Sequence, residues 1–171
     1  DLLHDLEAFG IKVHFILRVE KALIEPFLTD KTRAVFGEIV GNPALNVMDV
    51  RETADFLHGK GVPLIVDSTT STPYLLNPIQ YGADVVVHST SKYINGSGDA
   101  ISGIIIDSGN FDWEASGKFP SLVEPNPSYH GVSFVKAAGR AAFVTKIRAI
   151  LLRDTGATIS PFHAFIFLQG L

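Results

Sequence analysis

Lys92 closes the run Val85-Val86-Val87-His88-Ser89-Thr90-Ser91-Lys92, which places two serine hydroxyls and an amine within four residues. Hydroxyls in such a run can donate to a phosphate, and a lysine amine can condense with an aldehyde to form an imine. A lysine beside a phosphate and a conjugated ring has its charged form contested, which also suits it to moving protons. Asp67 directly follows Leu64-Ile65-Val66. A strand over those residues would carry its carboxylate to the edge of a sheet, where a protonated pyridine nitrogen is one cation it could face. Each group has a plainer reading when taken alone. Asp67 before Ser68-Thr69-Thr70 suits a turn or a helix cap, and Lys92 suits an exposed turn. Their pairing is what favours a site.

The two groups meet only if strands bring them together. Pro63-Leu64-Ile65-Val66 and Asp84-Val85-Val86-Val87 are short and nearly continuous in apolar residues, as strands buried on both faces of a parallel sheet are. Residues 34–40 and Gly103-Ile104-Ile105-Ile106 predict two more strands. Residues 49–59 predict a helix with Val50, Ala54 and Leu57 on one face. Upstream, residues 2–9 read as a helix stopped by Gly10, residues 11–16 alternate as a half-buried strand, and residues 17–28 read as helix. Downstream, residues 111–129 carry prolines and glycines among aromatics without a period, and predict a lid-like surface loop. Helix is expected again from Val132 through residues 137–152, and once more from Ser160-Pro161 to Leu171. Strand, helix, strand at this rhythm predicts an α/β layer architecture with right-handed crossovers. Ligands of such sheets sit off the carboxyl ends of the strands. Three strand ends carry polar residues, at residues 38–42, 67–69 and 89–92.

Composition narrows the function. With 171 residues, 46% hydrophobic and 19% charged, the chain can bury a core and reads as one domain or part of one. A net charge of -4 without a basic stripe argues against nucleic acid. The absence of cysteine removes disulfides, thiolate zinc sites and cysteine nucleophiles, and fits a cytoplasmic setting. No apolar run reaches the ~18 to 20 residues of a membrane span. No set of His, Asp and Glu has metal-ligand spacing, so no catalytic metal is expected. The start, Asp1-Leu2-Leu3-His4-Asp5, reads as cut rather than as a signal peptide.

Two blocks then carry a resemblance. Val66-Asp67-Ser68-Thr69-Thr70-Ser71-Thr72-Pro73-Tyr74-Leu75 and Gly82-Ala83-Asp84-Val85-Val86-Val87-His88-Ser89-Thr90-Ser91-Lys92-Tyr93 resemble the Cys/Met-metabolism pyridoxal-phosphate family. Gly41-Asn42-Pro43-Ala44-Leu45-Asn46-Val47, Asp107-Ser108-Gly109-Asn110-Phe111-Asp112-Trp113 and Pro127-Ser128-Tyr129-His130-Gly131-Val132 are most similar to its O-acetylhomoserine sulfhydrylase branch. The likeness spans nearly the whole chain and is weakest over residues 16–26; the sequence reads either as a genuine fragment or as only the ordered part of a longer protein, and in the second case a false junction is expected at Phe15-Ile16-Leu17-Arg18.

The resemblance implies a three-layer α/β/α domain with a mostly parallel sheet, of fold type I, and pyridoxal 5′-phosphate as cofactor. It implies that Lys92 forms the Schiff base and moves protons, that Asp67 pairs with the pyridinium nitrogen, and that Ser89 and Ser91 bind the phosphate. Asn42 would lie near the ring 3′-oxygen and Thr69 would support the ring from the Asp67 turn, with Glu38 in a supporting role behind them. The implied reaction is γ-replacement, O-acetyl-L-homoserine plus sulfide giving L-homocysteine plus acetate. Cystathionine γ-synthase, γ-lyase or methionine γ-lyase chemistry on the same core is the alternative. A homotetramer or homodimer with shared sites is implied. The family's upstream phosphate loop and stacking tyrosine, and its downstream carboxylate-binding arginine, have no counterpart here, so residues 1–171 are expected to be the second half of the large domain. The chain departs from the family pattern at Ser91 for threonine, Ser68 for asparagine, and Asn95-Gly96-Ser97-Gly98 for Gly-Gly-His-Gly.

Competing readings are weaker. Ser89-Thr90-Ser91-Lys92 matches the Ser-x-x-Lys motif of penicillin-binding enzymes, but the Ser-Asp-Asn and Lys-Thr-Gly partners are missing. Gly96-Ser97-Gly98 has the wrong spacing for a dinucleotide loop. An inactive scaffold that associates through its apolar surface is the non-enzyme reading. His88 and His130 are read as histidines with satisfied hydrogen bonds rather than as bases.

Overall fold

A computed structural model describes residues 2–171, with side chains from residue 5 onward. Its centre is a four-stranded sheet of β1 (Val35–Glu38), β2 (Leu64–Asp67), β3 (Val85–Ser89) and β4 (Gly103–Asp107), in that spatial order. β1, β2 and β3 run parallel, and β4 lies antiparallel on β3. The architecture is therefore α/β with a mostly parallel sheet, as the apolar strand runs predict.

Helix α3 (Val50–His58) makes the crossover from β1 to β2. Asp49 caps it by accepting the Glu52 backbone N–H at 2.9 Å, which satisfies one of the free amides of the first turn. Its buried stripe of Val50, Ala54 and Leu57 meets Leu64 and Val66 of β2 and Val86 of β3 in the main core, to which Ile24, Ile39 and Met48 also belong. Leu57 and Leu64 are fully buried. Burial of each contributes about 2 kcal/mol. Gly82, at φ 102°, lets the chain turn tightly into β3, and a Cβ there would stand 2.8 Å from the Ala54 methyl.

The opposite face of the sheet follows from register, because in-register neighbours share a face. Phe36 pairs with Ile65, Glu38 with Asp67, Asp67 with Val87, and Ser89 with Gly103. This face holds the polar strand ends and is incompletely covered, with Phe36 54% and Ile105 46% exposed.

Several expected elements form differently. Residues 11–16 make no strand, because alternation gives a strand two faces but not the neighbouring strand its backbone needs, and Ile11 and Phe15 stay exposed. The helix expected over residues 17–28 contracts to α2 (Lys21–Ile24) and a 3₁₀ turn at Glu25–Phe27, where Pro26 is accepted at the start of the turn but could not continue a helix. The helix α1 (Leu2–Glu7) ends in turns that reach Gly10, close to expectation. Residues 111–129 are not a lid. Trp113, 5% exposed, meets Phe111 and Phe119 edge-on at 4.7 and 4.9 Å and stacks on Phe143 at 5.1 Å, forming a second core with Leu122, Phe134 and Ala142. An irregular backbone hid this packing from any periodicity test. The helix expected through residues 137–152 forms for most of its length: Gly139, φ 52°, separates α4 (Phe134–Ala138) from α5 (residues 142–155), which runs on through a wider turn at Ile147–Leu152. The last helix is Pro161–Leu168 and ends before Leu171.

Candidate active site

β2 ends at Asp67 and its chain turns sharply. The Asp67 carboxylate accepts the Thr69 N–H at 2.8 Å through Oδ1, and Oδ2 has no hydrogen bond among the described residues. The Thr69 hydroxyl in turn accepts the Ser89 N–H at 2.8 Å, and the Ser68 N–H donates to the Val87 carbonyl at 3.0 Å. The turn after β2 is thus stitched to the end of β3. Asp67 and the Ser89–Lys92 segment sit at one edge for this reason, and Thr69 acts as the stitch between them, a role that the turn chemistry of Asp67-Ser68-Thr69 hints at but spacing cannot assign.

β3 runs into a wide turn, Thr90–Ile94, that leads back toward antiparallel β4. Lys92 interrupts the helical course of this turn at φ -95°, ψ -111°. Its side chain is exposed and has no ion pair or hydrogen bond among the described residues. The Ser89 hydroxyl is likewise unpartnered and half-buried. Ser91 differs. Its hydroxyl donates to the Ser102 carbonyl at 3.1 Å and accepts the Ser102 N–H at 2.9 Å, which pins the turn to the start of β4. Thr90, which the sequence does not single out, has a buried hydroxyl without a partner among the described residues. Only the tertiary environment marks it.

On the next strand, Glu38 accepts the Asn42 N–H at 2.8 Å, so the loop carrying the exposed Asn42 side chain is held against the end of β1. His88 lies on the other side of β3, 4% exposed. Its Nδ1 has no hydrogen-bond partner of ordinary geometry among the described residues, although the Ser68 backbone stands against the ring, so the satisfied histidine expected there is met only in part. Burial holds its pKa below the ordinary histidine value, opposed by the Ser68 backbone and the Asp67 charge. His130 is an exposed loop residue at φ 54°.

The donor set fits a phosphorylated pyridine aldehyde. Asp67 offers a free carboxylate oxygen to a ring cation, Ser89 a free hydroxyl to an anion, and Lys92 an unengaged amine to an aldehyde. Two hollows of ≈ 520 and ≈ 480 Å³ lie elsewhere, one among Arg18, Lys21 and Asp49 and the other among His58, Asp84 and Phe111. Neither is lined by Asp67, Ser89 or Lys92.

Polar groups gathered at the carboxyl ends of a mostly parallel sheet suit an α/β enzyme domain. The chain belongs to the family of Cys/Met metabolism PLP-dependent enzymes, whose model matches residues 2–171. It is 43% identical over 180 residues to the O-acetyl-L-homoserine sulfhydrylase of Leptospira meyeri, with 100% of this chain and 40% of that protein covered. It is 45% identical over 168 residues to O-acetyl-L-homoserine sulfhydrylase 1 of Thermus thermophilus, with 97% of this chain and 40% of that protein covered. A crystal structure from Campylobacter jejuni, described as an O-acetylhomoserine (thiol)-lyase with a pyridoxyl-lysine monophosphate, superposes with a TM-score of 0.90 at 30% identity over 98% of this chain and 40% of that one. The O-acetylhomoserine sulfhydrylase of Wolinella succinogenes superposes with a TM-score of 0.78 at 32% identity, covering 99% of this chain and 44% of that one. The chain thus spans about 40% of the length of these relatives. The fold is type I, and the cofactor of the family is pyridoxal phosphate.

Proposed function

We propose that the chain is the lysine-bearing part of a PLP-dependent transferase that replaces the acetoxy group of O-acetyl-L-homoserine with sulfide, giving L-homocysteine and acetate. The observation that carries this reading is the Thr69 stitch, which brings a free Asp67 carboxylate and the Ser89–Lys92 turn to one sheet edge. The choice of substrate rests on likeness to relatives named O-acetylhomoserine sulfhydrylase and homocysteine synthase. On the same reading the working protein is cytoplasmic, and a homodimer or homotetramer that covers its exposed apolar face.

Bound pyridoxal phosphate supplies a sink for the electron pair left when Cα of the substrate loses its proton. Each side chain has a task around it. Lys92 Nζ would hold the cofactor through its aldehyde and, once freed by the substrate amine, would be the base that takes the Cα proton. Its exposed, unpaired amine leaves no ion pair to break first. Asp67 Oδ2 holds the proton on the ring nitrogen, while Oδ1 stays fixed by Thr69. Ser89 donates to the phosphate. Ser91 can join only in competition with the Ser102 carbonyl, so Ser89 carries the larger share. Asn42, on a loop held by Glu38, would be the residue to meet the ring 3′-oxygen.

The test is the absorbance of the protein with pyridoxal phosphate, followed by borohydride reduction and peptide mapping. A reduced adduct on Lys92, lost in Lys92→Ala, is the expected result. An adduct unchanged in Lys92→Ala sinks the assignment. Homocysteine formation from O-acetylhomoserine and sulfide tests the substrate separately.

A further inference from the structure

The segment after Lys92 departs from the family pattern, and in this chain it forms a closed knot. Asn95 is 6% exposed. Its Nδ2 donates to Asp99 Oδ1 at 2.8 Å, and its Oδ1 accepts the Ser97 hydroxyl at 3.2 Å. The Asn95 N–H returns to the Thr90 carbonyl at 3.0 Å, and the next N–H, of Gly96, bonds the carbonyl of Lys92 itself at 2.8 Å. Both ends of the Lys92 turn are thereby tied to Asn95 and its neighbour.

A second element closes over this knot. The helix α6 (Pro161–Leu168), capped by the Ser160 hydroxyl, buries Phe167, and the chain then turns so that Gly170 lies on the turn. A Cβ at Gly170 would overlap the Ile94 carbonyl oxygen and stand 2.7 Å from that of Asn95. Both obstacles are backbone, which cannot swing aside as a side-chain tip can. His163 of the same helix faces Asp99 electrostatically.

We propose that Asn95 is a positioning residue for Lys92, its clamp completed by Asp99 and Ser97 and its roof formed by the glycine contact of Gly170. Lys92 itself has no side-chain restraint, so the geometry with which it meets an aldehyde is set by its backbone, and that backbone is set by Asn95 and Gly170. The proposal rests on Lys92 being the imine-forming lysine. A misplacement of about 1 Å in such a group lowers its rate by up to about a hundredfold.

The experiment has two readouts on four proteins: wild type, Asp99→Ala, Asp99→Asn and Gly170→Ala. Without cofactor, amide hydrogen exchange at Asn95 and Gly96 is expected to rise by about tenfold in Asp99→Ala and Gly170→Ala, the scale of one lost hydrogen bond. With pyridoxal phosphate, the rate of borohydride-trappable adduct formation at Lys92 is expected to fall by about ten- to a hundredfold in the same two variants. Asp99→Asn keeps an acceptor oxygen for Asn95 and is expected to match wild type in both. Faster exchange with unchanged trapping overturns the proposal, since the knot would then be structural only. Unchanged exchange in Asp99→Ala overturns it as well, and that variant decides if Gly170→Ala does not fold. A wild type that forms no adduct at Lys92 overturns the assignment of Lys92 and this proposal with it, whereas trapping in wild type that all variants share overturns this proposal alone.

Discussion

The two ends of the same strands are built on opposite principles. At the amino end, Asp84 is 2% exposed, and one carboxylate oxygen, Oδ2, accepts both the Leu64 N–H and His58 Nε2 at 2.8 Å. Burial raises its pKa, and the Leu64 and His58 bonds oppose the rise. At the carboxyl end, Asp67 is half-buried with an unused oxygen, Ser89 has a free hydroxyl, and Lys92 has no partner among the described residues. One acid is spent on holding β2, β3 and α3 together, and the other is left able to bind. Unmade hydrogen bonds are costly in a core but useful at an edge that faces a ligand.

Breaking each end separates these roles. Asp84→Ala is expected to lower unfolding free energy by about 3 kcal/mol, because the Leu64 N–H is left buried without an acceptor and His58 loses its partner. Urea unfolding measures this, and a loss confined to experimental error would refute the contrast. Lys92→Ala is expected to leave the same unfolding curve in place while abolishing the trapped adduct. Thr69→Val removes the acceptor of the Ser89 N–H and should cost about 1 to 2 kcal/mol, with a weaker adduct in the spectral titration.

Acid sharpens the comparison further. The folded pKa of His88 lies below its ordinary value of 6.5, so the unfolded chain takes up that proton first. The stability contributed by neutral His88 is complete above pH 6.5 and is lost as pH falls from there through the lower folded value. The slope of stability against pH in that window should flatten in His88→Gln. The smallest effect is expected from Asp49→Ala, about 1 kcal/mol from the lost cap of α3, with no change at the strand-end site.

The strands were legible because the inner strands of a parallel sheet carry near-continuous apolar residues, and Leu64-Ile65-Val66 and Val85-Val86-Val87 supply them, although one face of the sheet is left incompletely covered. The helix over residues 49–59 was equally legible, since Asp49, Glu52 and the Val50, Ala54, Leu57 stripe agree. Elements without a period were not. Trp113 and its ring partners form a core on irregular backbone, and residues 11–16 lack the neighbouring strand that their alternation called for.

The same division holds at the site. Sequence by itself determined the chemistry available: a carboxylate after one apolar strand, hydroxyls and an amine after another, and no cysteine to offer a different route. Tertiary structure decided which of those groups are free. It engaged Ser91 with Ser102, used Thr69 as a stitch, buried Thr90 and His88 with unpartnered atoms, and left Ser89 and Lys92 open. The physical reason is that residue type fixes what a group can donate or accept, whereas whether that capacity is already spent depends on neighbours remote in sequence. For Lys92 those neighbours extend to Gly170.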